Sequence, residues 1–356
     1  MSRGFRFDAI VLRRLVIGVA IAAFLLAKPG QTIPLAAFGI AAILGTTLLI
    51  YLGKAGWPFM AGLVGLGVAL RLIRFRGLES DALSVTVTAI HQALAGSSPY
   101  AVGPPGSLLA GSTFPYGPVS LLWDLPVQFE PRVMELVASF AVLVALAVWR
   151  RPLGLAVYAA VPLMVLQTTD GSNDTSAGLL ILLALVVAER RPLCGGVLLA
   201  IATGCKPYAA AWAVPLIAWG GLMPLVGFAA TSVVVWSPLL IWGPRSFLDA
   251  LQRAESIHTA PYYSLAEYLE RYFGVSLAEN VFGPLRLALG FGTAVIVGAR
   301  LVFVKSYDVV VVGGSLVFVV LMYAGFWATP AYLAAIAPIL CWKLDGWIAR
   351  PAPMAG

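Results

Sequence analysis

Along most of the chain, apolar residues run on for about 17–22 positions and stop at short polar or proline-bearing breaks, the length a helix needs to cross roughly 30 Å of hydrocarbon. Such runs occupy 12–27, 33–52, 58–73, 133–149, 153–166, 176–188, 193–204, 208–220, 222–242, 285–304, 309–326 and 331–342. They predict an all-α, polytopic transmembrane bundle of about twelve helices, some of them short for a full crossing. Because the runs extend from end to end, 1–356 reads as one membrane domain. Two stretches break the pattern, 74–132 and 243–284. In the first, Leu83, Val87, Ile90 and Leu94 recur at intervals of three and four, the spacing of an amphipathic helix over 81–95 lying along the membrane surface. The Gly/Pro-rich connector Gly103-Pro104-Pro105-Gly106 and the segment Phe114-Pro115-Tyr116-Gly117-Pro118 follow. They lead into an apolar piece, 119–125, too short to span, which reads as a surface or half-inserted helix. Proline and glycine at this density give a fixed irregular path, and irregular backbone near a membrane is tolerated where it lines a protein cavity.

Composition removes the soluble alternatives. The 356 residues are 60% hydrophobic and 11% charged, with a mean hydropathy of +0.93, whereas soluble domains carry about 25% charged residues. The net charge of +7 is not a nucleic-acid signature, because no basic stripe interleaves with aromatics on a polar surface. Instead it sets orientation. With Arg3, Arg6, Arg13 and Arg14 on the cytoplasmic side, alternate connections carry Lys54, Arg150-Arg151, Arg190-Arg191, Lys305, and Lys343 with Arg350, as the positive-inside rule requires. Both termini are then cytoplasmic, in the plasma membrane, and both polar stretches become outer loops. The basic start followed by an apolar run resembles a signal peptide. It lacks a small-residue cleavage site before Lys28-Pro29 and reads as a retained first span. Cys194, Cys205 and Cys341 show neither metal-ligand spacing nor a disulfide pattern, so no metal and no cofactor are expected.

The chemistry lies where the charge rule fails. Arg71, Arg74 and Arg76 cluster at the outer end of the third span. Lys206 ends a short apolar run, and Arg245, Arg253 and Arg271 lie in the second outer loop. Singly, each reads as a side chain snorkelling to headgroups; together they point to an anion held at the outer surface. Asp81, beside the arginine cluster, is a candidate general base, with a surface ion pair to Arg74 or Arg76 as the bland alternative. Glu79 is its backup, two residues away and so on another helix face. Asp174, in the turn Gly171-Ser172-Asn173-Asp174, is a further outer acid or a helix cap before Thr175. His91 reads as an interfacial polar residue. Tyr100, Tyr116, Tyr262 and Tyr263 are candidates to stack on a sugar or line a lipid groove, against an interfacial aromatic belt.

These residues resemble a known family. Asp81 with its amphipathic helix, then Ala95–Tyr100 (Ala-Gly-Ser-Ser-Pro-Tyr), then Phe114–Pro118 look like the first outer loop of glycosyltransferase family 87, within the GT-C membrane glycosyltransferases. Gly171–Asp174 before a span, Gly-Cys-Lys-Pro-Tyr ending at Tyr208, and Trp236-Ser237-Pro238 before an outer loop continue the similarity, over roughly 81–268. The resemblance implies a donor sugar, mannose, on polyprenyl phosphate. It implies a hydroxyl acceptor on a glycolipid or cell-envelope glycan, transfer with inversion on the outer face, and membrane lipids as surroundings. By position, Asp81 matches the family's general base, and His258 matches a late-loop histidine. Arg74, Arg76, Lys206, Arg245 and Arg253 would hold the lipid phosphate, an anion that leaves without a proton donor and needs only positive charge. Two alternatives stay open. A transporter or flippase of a lipid-linked substrate is expected to show internal repeats and mid-span polar residues; no clear repeat is present and the polar residues sit at the outer surface. A non-catalytic membrane scaffold is the other.

Overall fold

The structure, a computed structural model, describes residues 33–75, 77, 79–101, 113–256, 264–274, 279–324, 329 and 331–349. Every regular element among them is helical. The described residues form two compact units, one drawn from those within 1–78, 136–170 and 337–356, the other from those within 79–135 and 171–336.

The first unit contains α1 (Ile33–Tyr51) and α2 (Trp57–Arg74). It also holds most of the helix Arg132–Val148, here α5, then α6 (Pro152–Ala160), α7 (Pro162–Gln167), and most of the last helix, Tyr332–Ala349, here α17. Proline decides where the short helices begin. Pro152 and Pro162 stand in the first turns of α6 and α7, where a missing N–H costs nothing, and Pro162 splits the apolar run 153–166 in two. Close approach of helices is permitted by glycine: a Cβ on Gly154 would lie 2.0 Å from the Cys341 carbonyl oxygen. Asp345 of α17 accepts from the backbone N–H groups of Leu153 and Gly154 at 3.1 and 3.0 Å, satisfying two otherwise unpaired donors at the start of α6.

Arg71 corrects the sequence reading, which placed it with an outer anion-binding cluster. It is fully buried in this unit. Nε donates to Ser139 Oγ and Thr168 Oγ1, Nη1 to the carbonyls of Gly67 and Ala159, and Nη2 to that of Tyr158 at 2.7 Å. The guanidinium also lies over the Tyr158 ring. Its five acceptors come from α2, α5, α6 and the end of α7, so it ties four helices together.

The second unit contains α3 (Asp81–Leu94), α4 (Pro118–Asp124), α8 (Asp174–Ala188), α9 (Pro192–Cys205), α10 (Ala213–Gly220), α11 (Leu222–Trp236) and α12 (Pro238–Trp242). Two amphipathic helices follow, α13 (Pro244–Ser256) and α14 (Leu265–Phe273), then α15 (Glu279–Phe303) and α16 (Tyr307–Tyr323). α9 and α11 meet backbone to backbone: a Cβ on Gly196 would lie 2.2 Å from the Pro224 oxygen, and one on Gly227 would lie 2.2 Å from that of Leu193.

Three helices among the described residues are long and apolar enough to cross a membrane, Trp57–Arg74, Leu222–Trp242 and Gly283–Phe303, with a fourth if Pro118–Val127 and Arg132–Val148 count as one broken span. Ala37–Tyr51, Asp174–Ala188, Pro192–Cys205 and Tyr307–Tyr323 are apolar but shorter. At 1.5 Å per residue, a 14- to 15-residue helix reaches only about 22 Å. The described chain is thus helical, with several helices long and apolar enough to cross a membrane, while the expected run at 12–27 lies outside the described residues.

Candidate functional site

All of the site geometry that follows belongs to the second unit. Asp81 is the first residue of α3. Ser80 precedes it in extended conformation; its Oγ accepts from the Ala82 N–H at 3.3 Å and donates to Asp81 Oδ1 at 3.1 Å. Asp81 is half-buried. The free N–H groups of a helix N-terminus favour a carboxylate there by about 0.3–1 kcal/mol. A partly exposed, oriented carboxylate is suited to receive a proton from a hydroxyl brought against it.

The rest of α3 is held by packing. Val85, Ala89 and Ile90 enter an apolar cluster with Tyr100, Phe114, Leu121, Phe247 and Ala250. Tyr100 lies inside this cluster, 3% exposed, its ring against Phe114, Trp242 and Phe247 at 5.9, 6.1 and 5.2 Å. Burial pushes its hydroxyl well above the usual phenol range. Tyr100 is therefore a packing residue here, not an exposed stacking surface. The Thr113 hydroxyl donates to the Ala250 carbonyl at 2.9 Å, tying the loop to α13.

Behind α3 lies a buried polar hub built on Gly171-Ser172-Asn173-Asp174. Gly171 takes φ +85°, and a Cβ there would lie 2.8 Å from that of Leu83. Its N–H donates to Glu135 Oε2 at 2.6 Å. Asn173 is left-handed at φ 64°, a conformation Asn tolerates better than most residues. Its amide donates to Thr86 Oγ1 of α3 and Ser120 Oγ of α4, both at 3.2 Å. Asp174, 1% exposed, opens α8 and accepts through Oδ1 from Lys206 Nζ at 2.7 Å and from the Tyr208 hydroxyl at 2.5 Å. Lys206 Nζ also lies over the rings of Tyr116 (4.5 Å) and Tyr208 (5.5 Å). Tyr208 packs edge-on to Phe318 and Tyr332. One tight turn thus joins α3, α4, the start of α5, α8 and the segment after α9.

The predicted site residues divide accordingly. Asp174, Lys206 and Tyr116 come together in the hub. Lys206 is neutralised by Asp174 inside the protein, so its ammonium is not an exposed phosphate ligand. Glu79 is exposed ahead of the Ser80 cap and acts electrostatically on Arg132. Arg132 is held by Glu130 through two contacts of 2.5 and 2.9 Å. Arg245 and Arg253 are exposed on α13, and Arg74 is exposed in the first unit. His91 is exposed and edge-on to Phe129 at 5.5 Å. Arg76, His258, Tyr262 and Tyr263 lie outside the described residues.

Sequence reasoning missed Ser120, Thr86, Glu135 and Asp124, and it met Asn173 and Tyr208 only inside the motifs Gly171–Asp174 and Gly-Cys-Lys-Pro-Tyr, without a role for either. Asp124 is fully buried at the end of α4. The Ser120 hydroxyl one turn back is within hydrogen-bonding reach of its carboxyl, and Lys206 acts on it electrostatically. An acid inside the apolar piece 118–127 was the available signal, since a carboxylate in such a setting carries a high desolvation cost. Among the described residues, no three His, Cys, Asp or Glu side chains are placed to hold a metal ion. No family model, no curated protein and no solved structure matches this chain.

Proposed function

We propose that the chain is a GT-C-type membrane glycosyltransferase, resembling glycosyltransferase family 87. It moves a sugar, mannose, from a polyprenyl-phosphate donor to a hydroxyl of a glycolipid or cell-envelope glycan at the outer face of the plasma membrane. The observation that carries this reading is Asp81 itself. It is a half-exposed carboxylate at a capped helix N-terminus, on a helix locked from behind by the Asn173 amide and the aromatic cluster.

The reaction needs little beyond this. The acceptor oxygen attacks the anomeric carbon while its proton passes to the Asp81 carboxylate. The bond from the anomeric carbon to the phosphate oxygen breaks, and the lipid phosphate leaves with the electron pair. A positioned base contributes roughly 10²–10⁴-fold. Arg245 and Arg253, exposed on α13 of the same unit as Asp81, are proposed to stabilise the leaving phosphate, with Arg74, Arg76 and His258 as further candidates from the resemblance.

The test is a transfer assay with purified protein, a panel of polyprenyl-phosphate sugars and extracted glycolipid acceptors. Label is expected to move from one donor to acceptor, and Asp81→Asn is expected to lower the rate by about 10²-fold or more with thermal stability unchanged. Transfer unaffected by Asp81→Asn removes the base assignment. Passage of intact donor across vesicles without cleavage replaces the reading with a flippase.

A further inference from the structure

The amphipathic helices α13 and α14, both in the polar stretch 243–284, differ in what covers their apolar faces. α13 buries Phe247 (8% exposed) and Ala250 (1%) in the aromatic cluster, where Trp236 and Trp242 also pack. α14 has the same kind of periodicity, with Leu265, Tyr268, Leu269, Tyr272 and Phe273 at helical spacing. Yet Tyr268, Tyr272 and Phe273 are 53%, 66% and 64% exposed. Their rings stack on one another, Tyr268 at 4.8 Å from Tyr272 and 5.9 Å from Phe273. The helix stops at Gly274, which takes φ +63° and donates to the Glu270 carbonyl. After five residues α15 begins, and its apolar stretch Gly283–Phe303 is one of the membrane-crossing helices.

We propose that α14 is an interfacial helix whose ring cluster inserts into the headgroup and upper acyl layer of the bilayer, at the end where α15 enters it. Three arguments favour lipid over a protein partner. Connectivity is the first. The five intervening residues span at most about 20 Å when extended, and the first turn of α15 adds about 6 Å, so α14 is tethered close to the membrane surface. Area is the second: three rings of about 200 Å² each, some 60% exposed, offer roughly 350 Å² per chain. Two copies together then bury less than the about 1,200 Å² of a stable interface. Chemistry is the third, because two of the three rings are tyrosines, whose apolar body and polar tip suit a boundary between hydrocarbon and water. The helix sequence carries Glu267, Glu270 and Arg271, an excess of acid. Insertion therefore rests on apolar burial and does not strengthen with anionic lipid. This inference stands apart from glycosyl transfer and survives if that reading fails.

The experiment uses the full chain in phosphatidylcholine vesicles, with Cys194→Ser removing the exposed thiol and the buried Cys205 and Cys341 kept. A nitroxide is placed at Tyr272→Cys, at Tyr268→Cys or, on the polar side, at Glu270→Cys. The unlabelled-position background measures any reaction of the buried thiols. Power saturation is expected to give a ratio of oxygen to nickel-chelate accessibility several-fold higher at 272 and 268 than at 270. That contrast is expected to persist unchanged when a third of the lipid is phosphatidylglycerol. Equal, water-like accessibility at all three positions overturns the proposal. So does protection of 272 from both reagents, which means protein covers the face, or dipolar broadening, which identifies a second copy.

Discussion

At the scale of single residues, the Asp174–Lys206 pair sets the sharpest expectation. Both side chains are almost wholly buried, so removing one partner leaves the other charge inside the protein without compensation. Lys206→Met is expected to destabilise by about 3–5 kcal/mol, read as a lowered midpoint of thermal unfolding in detergent. The double variant Lys206→Met with Asp174→Leu is expected to recover most of that loss, because replacing both members of a buried pair by apolar groups is often near neutral. A double variant as unstable as the single one would mean the pair is not the source of the effect. Asp124 sets the opposite expectation. Its carboxyl is fully buried, with the Ser120 hydroxyl one turn back as its hydrogen-bonding neighbour, so the desolvation cost is poorly offset and Asp124→Leu is expected to leave stability unchanged or raise it by about 1 kcal/mol. A fall of more than about 2 kcal/mol would show that a partner completes it in the membrane.

At the scale of elements, glycine and proline decide what fits. Gly227→Val would push a side chain into the Leu193 carbonyl on α9, which lies 2.2 Å from even the first added carbon. A backbone atom cannot swing aside, so a loss above about 3 kcal/mol and poor assembly are expected. Gly45→Val on α1, where nothing lies within 4 Å, is the control and should be tolerated. The same physics explains which parts of the fold were legible. The period in Leu83, Val87, Ile90 and Leu94 located α3 to within one residue of Asp81–Leu94, because an amphipathic face declares itself locally. The uninterrupted runs at 58–73, 222–242 and 285–304 became the three long helices, their edges moving by two residues or fewer. The run at 153–166 split because Pro162 stops a helix whatever its hydropathy. The candidate site was less legible. Asp81 and its Ser80 cap lie adjacent in sequence, whereas the partners of Asn173 are 53 and 87 residues away. No periodicity reports that Asp174 and Lys206, 32 residues apart, meet in one buried hub. Nor could charge counting distinguish Arg71, whose donors serve backbone and hydroxyl acceptors in a helical core, from an arginine facing an outer anion.

At the scale of the molecule, everything proposed about the site depends on one sidedness. The charge bias places Lys54, Arg150-Arg151 and Arg190-Arg191 inside and the polar stretches outside, and the helices supply exposed positions on which to test it. Arg190 is exposed just after α8, Glu79 just before α3, and Asp249 on α13. In a Cys194→Ser background, Glu79→Cys and Asp249→Cys are expected to react with a membrane-impermeant maleimide in intact cells. Arg190→Cys is expected to react only after the membrane is opened. Because hydrocarbon crossing resets sides, an error of a single span between α8 and α13 would put Asp249 with Arg190. The exposed arginines of α13 would then face the cytoplasm, away from any outer acceptor. A lipid phosphate bound there would be separated from Asp81 by the bilayer, and no rearrangement of side chains could bring base and leaving group to the same anomeric carbon. Labelling of 79 and 249 from the same outer side is therefore the condition under which the transfer geometry exists at all, and opposite labelling would remove it regardless of any activity measured.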